Sequence, residues 1–135
     1  MTHPFAELLL PAQPTVVAPD GSDVRVLLQL SGGSMAHFQL ARGQVSAAVQ
    51  HRSVEELWYV VEGRGRMWRR QDGREAVIDL VPGLCLSIPL GTAFQFRAAA
   101  DAPLAAVAVT MPPWPGEGEA VAIEGPWAAS PGRAR

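Results

Sequence analysis

The sequence predicts an all-β domain, a sandwich or barrel, on three observations. Its apolar runs are short and separated by dense turn signals. Val24, Val26, Leu28 and Leu30 alternate with Arg25 and Gln29, the period of a half-buried strand. Asp72-Gly73, between Trp68-Arg69-Arg70 and Ala76-Val77-Ile78, is a tight-hairpin signature. No amphipathic helical period competes, since Ala98-Ala99-Ala100 is followed at once by Asp101 and Pro103.

The turn signals are Asp20-Gly21-Ser22, Ser31-Gly32-Gly33-Ser34, Ala41-Arg42-Gly43, Val81-Pro82-Gly83 and Pro89-Leu90-Gly91. They divide the chain into an N-terminal arm with a first strand (1–23), a barrel (24–110) and a C-terminal strap (111–135). The strap begins Met111-Pro112-Pro113-Trp114-Pro115, whose three prolines exclude a central strand. Trp114 and Trp127 are its candidate docking points, and Ser130–Arg135 reads as a loose end. Leu57-Trp58-Tyr59-Val60-Val61 is apolar at every position, which implies cover on both faces of that strand. The cover is a second subunit, hence a homodimer, or a folded-back terminal arm.

A chain of 135 residues suits one domain with one core. Its formal charge of −2 offers no basic stripe for nucleic acid. Arg64, Arg66, Arg69 and Arg70 cluster on the hairpin, beside Asp72 and Glu75, as a solvated face. No apolar run approaches the ~18 residues of a membrane span. The start shows no signal-peptide pattern, and the single cysteine, Cys85, suits a reducing cytoplasm. Cys85 lies on the apolar run Leu84–Ile88 and reads as a small core residue rather than a nucleophile.

Two stretches carry a family pattern. Gly43 is followed after five residues by Val49-Gln50-His51, then after four by Glu56 and after six more by Gly63. Gly83 is followed after five residues by Pro89-Leu90-Gly91, then after two by Phe94 and after three more by Ala98. Both spacings resemble the two motifs of the cupin superfamily. The resemblance implies a double-stranded β-helix, a jelly-roll barrel, with a metal held inside by three histidines and a glutamate. The corresponding positions here are Val49, His51, Glu56 and Phe94. Two of the four carry no lone pair, and a divalent transition metal normally takes three or more protein ligands.

His37 is the candidate third ligand. Met35, His37 and Gln39 share one strand face, and if that face lines the cavity His37 approaches His51. The expected pocket is His37, Gln39, Val49, Trp58, Phe94 and Phe96: apolar, partly aromatic, with a few polar anchors. Arg52, Gln39 and Gln95 are candidate rim contacts. The leading reading is a small organic ligand bound without a tightly held metal, with His51 and Glu56 as anchors or as an acid–base pair whose carboxylate raises the histidine pKa. One alternative is a metal-dependent isomerase, cyclase or oxygenase built on His37, His51 and Glu56. The other is a non-catalytic sensor or interaction module whose barrel is plugged by its own side chains.

Overall fold

A computed structural model describes residues 3–18 and 20–131. Eleven strands alternate with turns, and the described residues contain no helix. They are β1 (Val16–Val17), β2 (Asp23–Leu30), β3 (Gly33–Leu40), β4 (Val49–His51), β5 (Glu55–Gly63), β6 (Gly65–Gln71), β7 (Arg74–Leu80), β8 (Cys85–Ile88), β9 (Ala93–Ala98), β10 (Leu104–Met111) and β11 (Ala120–Ala122). One sheet runs β1-β2-β3-β10-β5-β8 and the other β11-β4-β9-β6-β7. All pairings are antiparallel, and two facing sheets of this kind make a jelly-roll sandwich.

The turn chemistry places the strands. Asp72 and Gly73 have φ of 49° and 79°, and a two-residue hairpin of type I′ needs positive φ at both positions. Gly63 is at φ 82°, and a Cβ there would collide with the backbone of Pro103. It therefore lets β5 pass close to the strand that leads into β10.

The inner faces meet in one core of Leu40, Val60, Met67, Leu80, Ile88, Phe96 and Leu104, all fully buried. At about 25 cal/mol per Å² this burial is the dominant stabilising contribution of a chain without disulfides. Only one end of the sandwich is filled in this way.

Three expectations change. Leu57, Tyr59 and Val61 alternate outward and are about half exposed, while Glu56, Trp58 and Val60 point inward. The N-terminal arm does fold back, with Arg25 donating to the carbonyls of Pro11 and Ala12, but it leaves that β5 face open. Cys85 lies on the same outer face, opposite Tyr59, because Leu86 and Ile88 take the inward positions of β8. Finally, the period of β2 breaks at a bulge between Val26 and Gln29. Parity reverses there, so Gln29 turns inward and Leu28 and Leu30 turn out to solvent.

The strap is docked by both tryptophans. The Trp114 amide donates to Ser34 Oγ at 2.9 Å, and the Trp127 backbone exchanges two hydrogen bonds with the Gln95 amide. Strand β11 within it pairs with β4. Ser130 is tied by two hydrogen bonds to Val45 rather than loose, and residues 132–135 lie outside the described part.

Gly63→Ala should destabilise the fold by at least ~2 kcal/mol, since a positive φ and a backbone clash act together. Chemical denaturation checks this, with Gly73→Ala, where a Cβ meets nothing within 4 Å, as the milder comparison.

Candidate functional site

The open end of the sandwich holds a cavity of about 540 Å³. The barrel is therefore not plugged, and the size is that of a small-molecule site.

The register builds its walls row by row. Across the six-stranded sheet, Gln29, Ser34, Thr110 and Glu56 are successive cross-strand partners, and all four line the cavity. The neighbouring row is Val26, Ala36, Ala108 and Trp58, and the one beyond it Val24, Phe38, Ala106 and Val60. Because strand side chains alternate, the cavity has a polar row at one end and apolar rows behind it. The facing sheet supplies Val49 and His51 from β4, Phe94 from β9 and Ala120 from β11, and the strap supplies Trp114 and Glu117.

Aromatic contacts fix the walls. Trp58 stacks on Phe38 with ring centroids 5.5 Å apart and meets Phe96 edge-on at 5.0 Å. Phe96 thus backs Trp58 from the core and does not itself line the cavity. His51 makes T-shaped contacts with Phe94, at 5.3 Å, and with Trp114, at 5.1 Å.

Glu56 is 3% exposed and accepts a hydrogen bond from Trp58 Nε1, at 3.2 Å. Burial pushes its carboxyl up to about 8; the indole bond opposes this and the charge of Asp20 adds to it. Glu56 is therefore mostly protonated at neutral pH. Burial likewise lowers the His51 pKa, with only partial opposition from Glu119, so this imidazole is neutral. No hydrogen bond joins His51 to Glu56 among the described residues, and the expected raising of the histidine by its carboxylate gives way to desolvation.

Two carboxyls were not singled out in the sequence. Asp20 lines the cavity and accepts from the amide and hydroxyl of Ser22, at 2.9 and 2.6 Å. Burial raises its carboxyl despite those bonds. Glu119 is buried behind His51. Burial alone would raise it, but three hydrogen bonds from Ser53 N, Ser53 Oγ and Val54 N hold it below the ordinary range. Asp20 showed only a turn signal and Glu119 only a Gly-Glu run, so neither carried a mark of its position.

His37 and Gln39 face the other way. Ser34, Ala36 and Phe38 take the cavity side of β3, and His37 lies on the outer side between Arg25 and Val107. Gln39 there accepts from Arg25 Nη1 at 2.9 Å. Burial, and after it the Arg25 guanidinium, lower the His37 pKa. It cannot join His51 as a ligand through the sheet. Arg52 and Gln95 are also absent from the cavity: Arg52 Nε donates to the Gly118 carbonyl, and Gln95 points outward under the strap.

The donor set consequently does not fit a divalent metal. His51 and Glu56 are the surviving ligand positions, Phe94 places a ring against the imidazole, and no group of three metal-binding side chains occurs among the described residues.

Residues 36–110 match the family model of the cupin domain, more than half of the chain. The chain belongs to the cupin family. Solved structures agree on the cupin fold. A Bacillus halodurans protein is 22% identical, with a TM-score of 0.62 over 72% of this chain and 75% of its own. A Klebsiella pneumoniae protein with a double-stranded β-helix domain is 18% identical, with a TM-score of 0.63 over 80% and 89%. Oxalate decarboxylase from Bacillus subtilis is 17% identical, with a TM-score of 0.61 over 72% of this cupin and 26% of its own length. No curated protein matches the chain in sequence.

The protonation states give a pH test. A carboxyl whose folded pKa lies above its unfolded one favours folding at low pH, and this is lost between about 4.5 and 8. The lowered His51 and His37 act oppositely, weakening the fold as pH falls through 6.5. Glu56→Gln should remove the first effect alone. Its stability gain over the native chain, read by denaturation, should grow by a few kcal/mol from pH 5 to pH 8.5.

Proposed function

We propose that this cupin binds a small organic ligand in the open end of its barrel, without a bound metal. The observation that carries this is the cavity itself: about 540 Å³, apolar over most of its walls, with Glu56 and His51 at its polar end. Phe94 and Val49, where the family pattern has metal ligands, extend those apolar walls. Glu56 in its protonated form can donate, and the neutral His51 can accept. Those states are also what a general acid–base step requires, one group giving a proton while the other takes one.

The uncharged fluorophore N-phenyl-1-naphthylamine tests the site directly. It should bind once per chain with rising emission, and Ala36→Trp, which puts an indole into the cavity, should abolish the signal. Unchanged binding by that variant would put the ligand site elsewhere.

The outer face of β5, β10 and β8 supports a homodimer as the working form. Leu57, Tyr59, Val61 and Cys85 are exposed there beside the part-buried Val107 and Val109, and the arm presents Phe5 and Leu9 almost wholly to solvent. A patch of this kind on one chain matches an interface better than a free surface. Light scattering should return twice 14.4 kDa, and Tyr59→Glu with Val61→Glu should halve it. A monomeric native chain would contradict this. A reducing compartment fits the exposed thiol of Cys85.

A further inference from the structure

The ionisable side chains of the cavity are acids and one imidazole. Its walls carry the carboxyls of Asp20, Glu56 and Glu117 and no arginine, and the chain has no lysine. The basic groups nearest in the fold are engaged elsewhere: Arg25 on the outer side of β2, and Arg52 on the carbonyl of Gly118. Among the described residues the buried Glu56 carboxyl has no ion pair, and its one hydrogen bond is the indole's. His51 is 7% exposed, and its ring lines the cavity with neither nitrogen hydrogen-bonded to any described residue.

Around these groups stand four aromatic rings, Phe38, Trp58, Phe94 and Trp114. Aromatic faces attract a desolvated cation, and a carboxylate beside them completes its neutralisation. A neutral imidazole adds an acceptor for an ammonium N–H. An anion entering the same space would find no compensating cation, a loss that a buried site cannot offset.

We infer that the ligand of this cavity is a lipophilic amine bound as its ammonium ion, with the charged end at Glu56 and His51 and the apolar body against Trp58, Phe38 and Val24. The inference rests on the reading of the cavity as a ligand site and names the class of ligand. Binding a fixed positive charge favours the ionised form of Glu56, so one proton leaves the carboxyl as the cation enters. Asp20 and Glu117 face the same space and strengthen the preference, while His51, held neutral, does not oppose it.

Three probes with one skeleton decide the matter: 3-phenylpropan-1-amine, 3-phenylpropan-1-ol and 3-phenylpropanoate, titrated calorimetrically and by displacement of N-phenyl-1-naphthylamine. At pH 8.5 the ammonium should bind about tenfold tighter than the alcohol, the worth of one charge-assisted contact, and the propanoate not measurably. Glu56→Gln should erase the preference of the ammonium over the alcohol. Asp20→Asn, as a second folded variant, should shrink the preference without erasing it. Equal or better binding of the alcohol or the propanoate overturns the charge assignment while leaving the ligand site intact. Failure of the naphthylamine and of all three probes to bind overturns the site itself.

Discussion

Glu56 is kept from water in a cavity that offers it no positive partner. An isolated ionised carboxylate in such a place costs far more than a folded domain can spare, so the group takes up a proton instead. Burial sets this, with the Trp58 indole as the carboxyl's one hydrogen-bond donor among the described residues and Asp20 opposing its ionisation further. The rest of the site follows from that condition. A metal would neutralise the carboxylate, but Val49 and Phe94 remove the ligands that would hold one, and the ring of Phe94 packs against His51. What remains is a neutral acid and a neutral imidazole in one cavity, walled by aromatic side chains.

The scaffold serves this arrangement by register. Antiparallel pairing of β2, β3, β10 and β5 sets Gln29, Ser34, Thr110 and Glu56 in one row. Ser34 and Thr110 share a hydrogen bond of 2.7 Å, and the Trp114 amide binds Ser34 in turn. The strap is thereby held at the cavity mouth by the same row that carries the acid. Glu119, three times hydrogen-bonded to the turn after β4, fixes the strap from the other side and lies near His51.

The frame was legible because it depends on turns. Gly63, Asp72-Gly73 and the other turn signals constrain the backbone whatever the side chains do, and their spacing survives where the metal ligands do not. The loss of two ligands was equally plain in Val49 and Phe94. Facing was harder. On β3 the face carrying His37 and Gln39 looked suited to a binding cavity, yet Ala36 and Phe38 point inward. The outer face is itself covered by Arg25 and the returning arm, so polarity did not separate inside from outside. The bulge in β2 reversed the parity of Leu28 and Gln29 with no Gly or Pro to mark it. Asp20 and Glu119 reach the site from loops, and no strand period reports on loop residues.

The protonation of Glu56 is the claim on which the account stands, and carbon-detected NMR of the side-chain carboxyls measures it directly. With Glu56→Gln for assignment, one glutamate resonance should titrate with a midpoint near 8 and should not move when zinc is added. A midpoint in the ordinary carboxylate range, or a resonance shifted by stoichiometric zinc, would contradict the account. The first would mean that the cavity solvates or pairs the charge, and the second that the barrel still holds a metal.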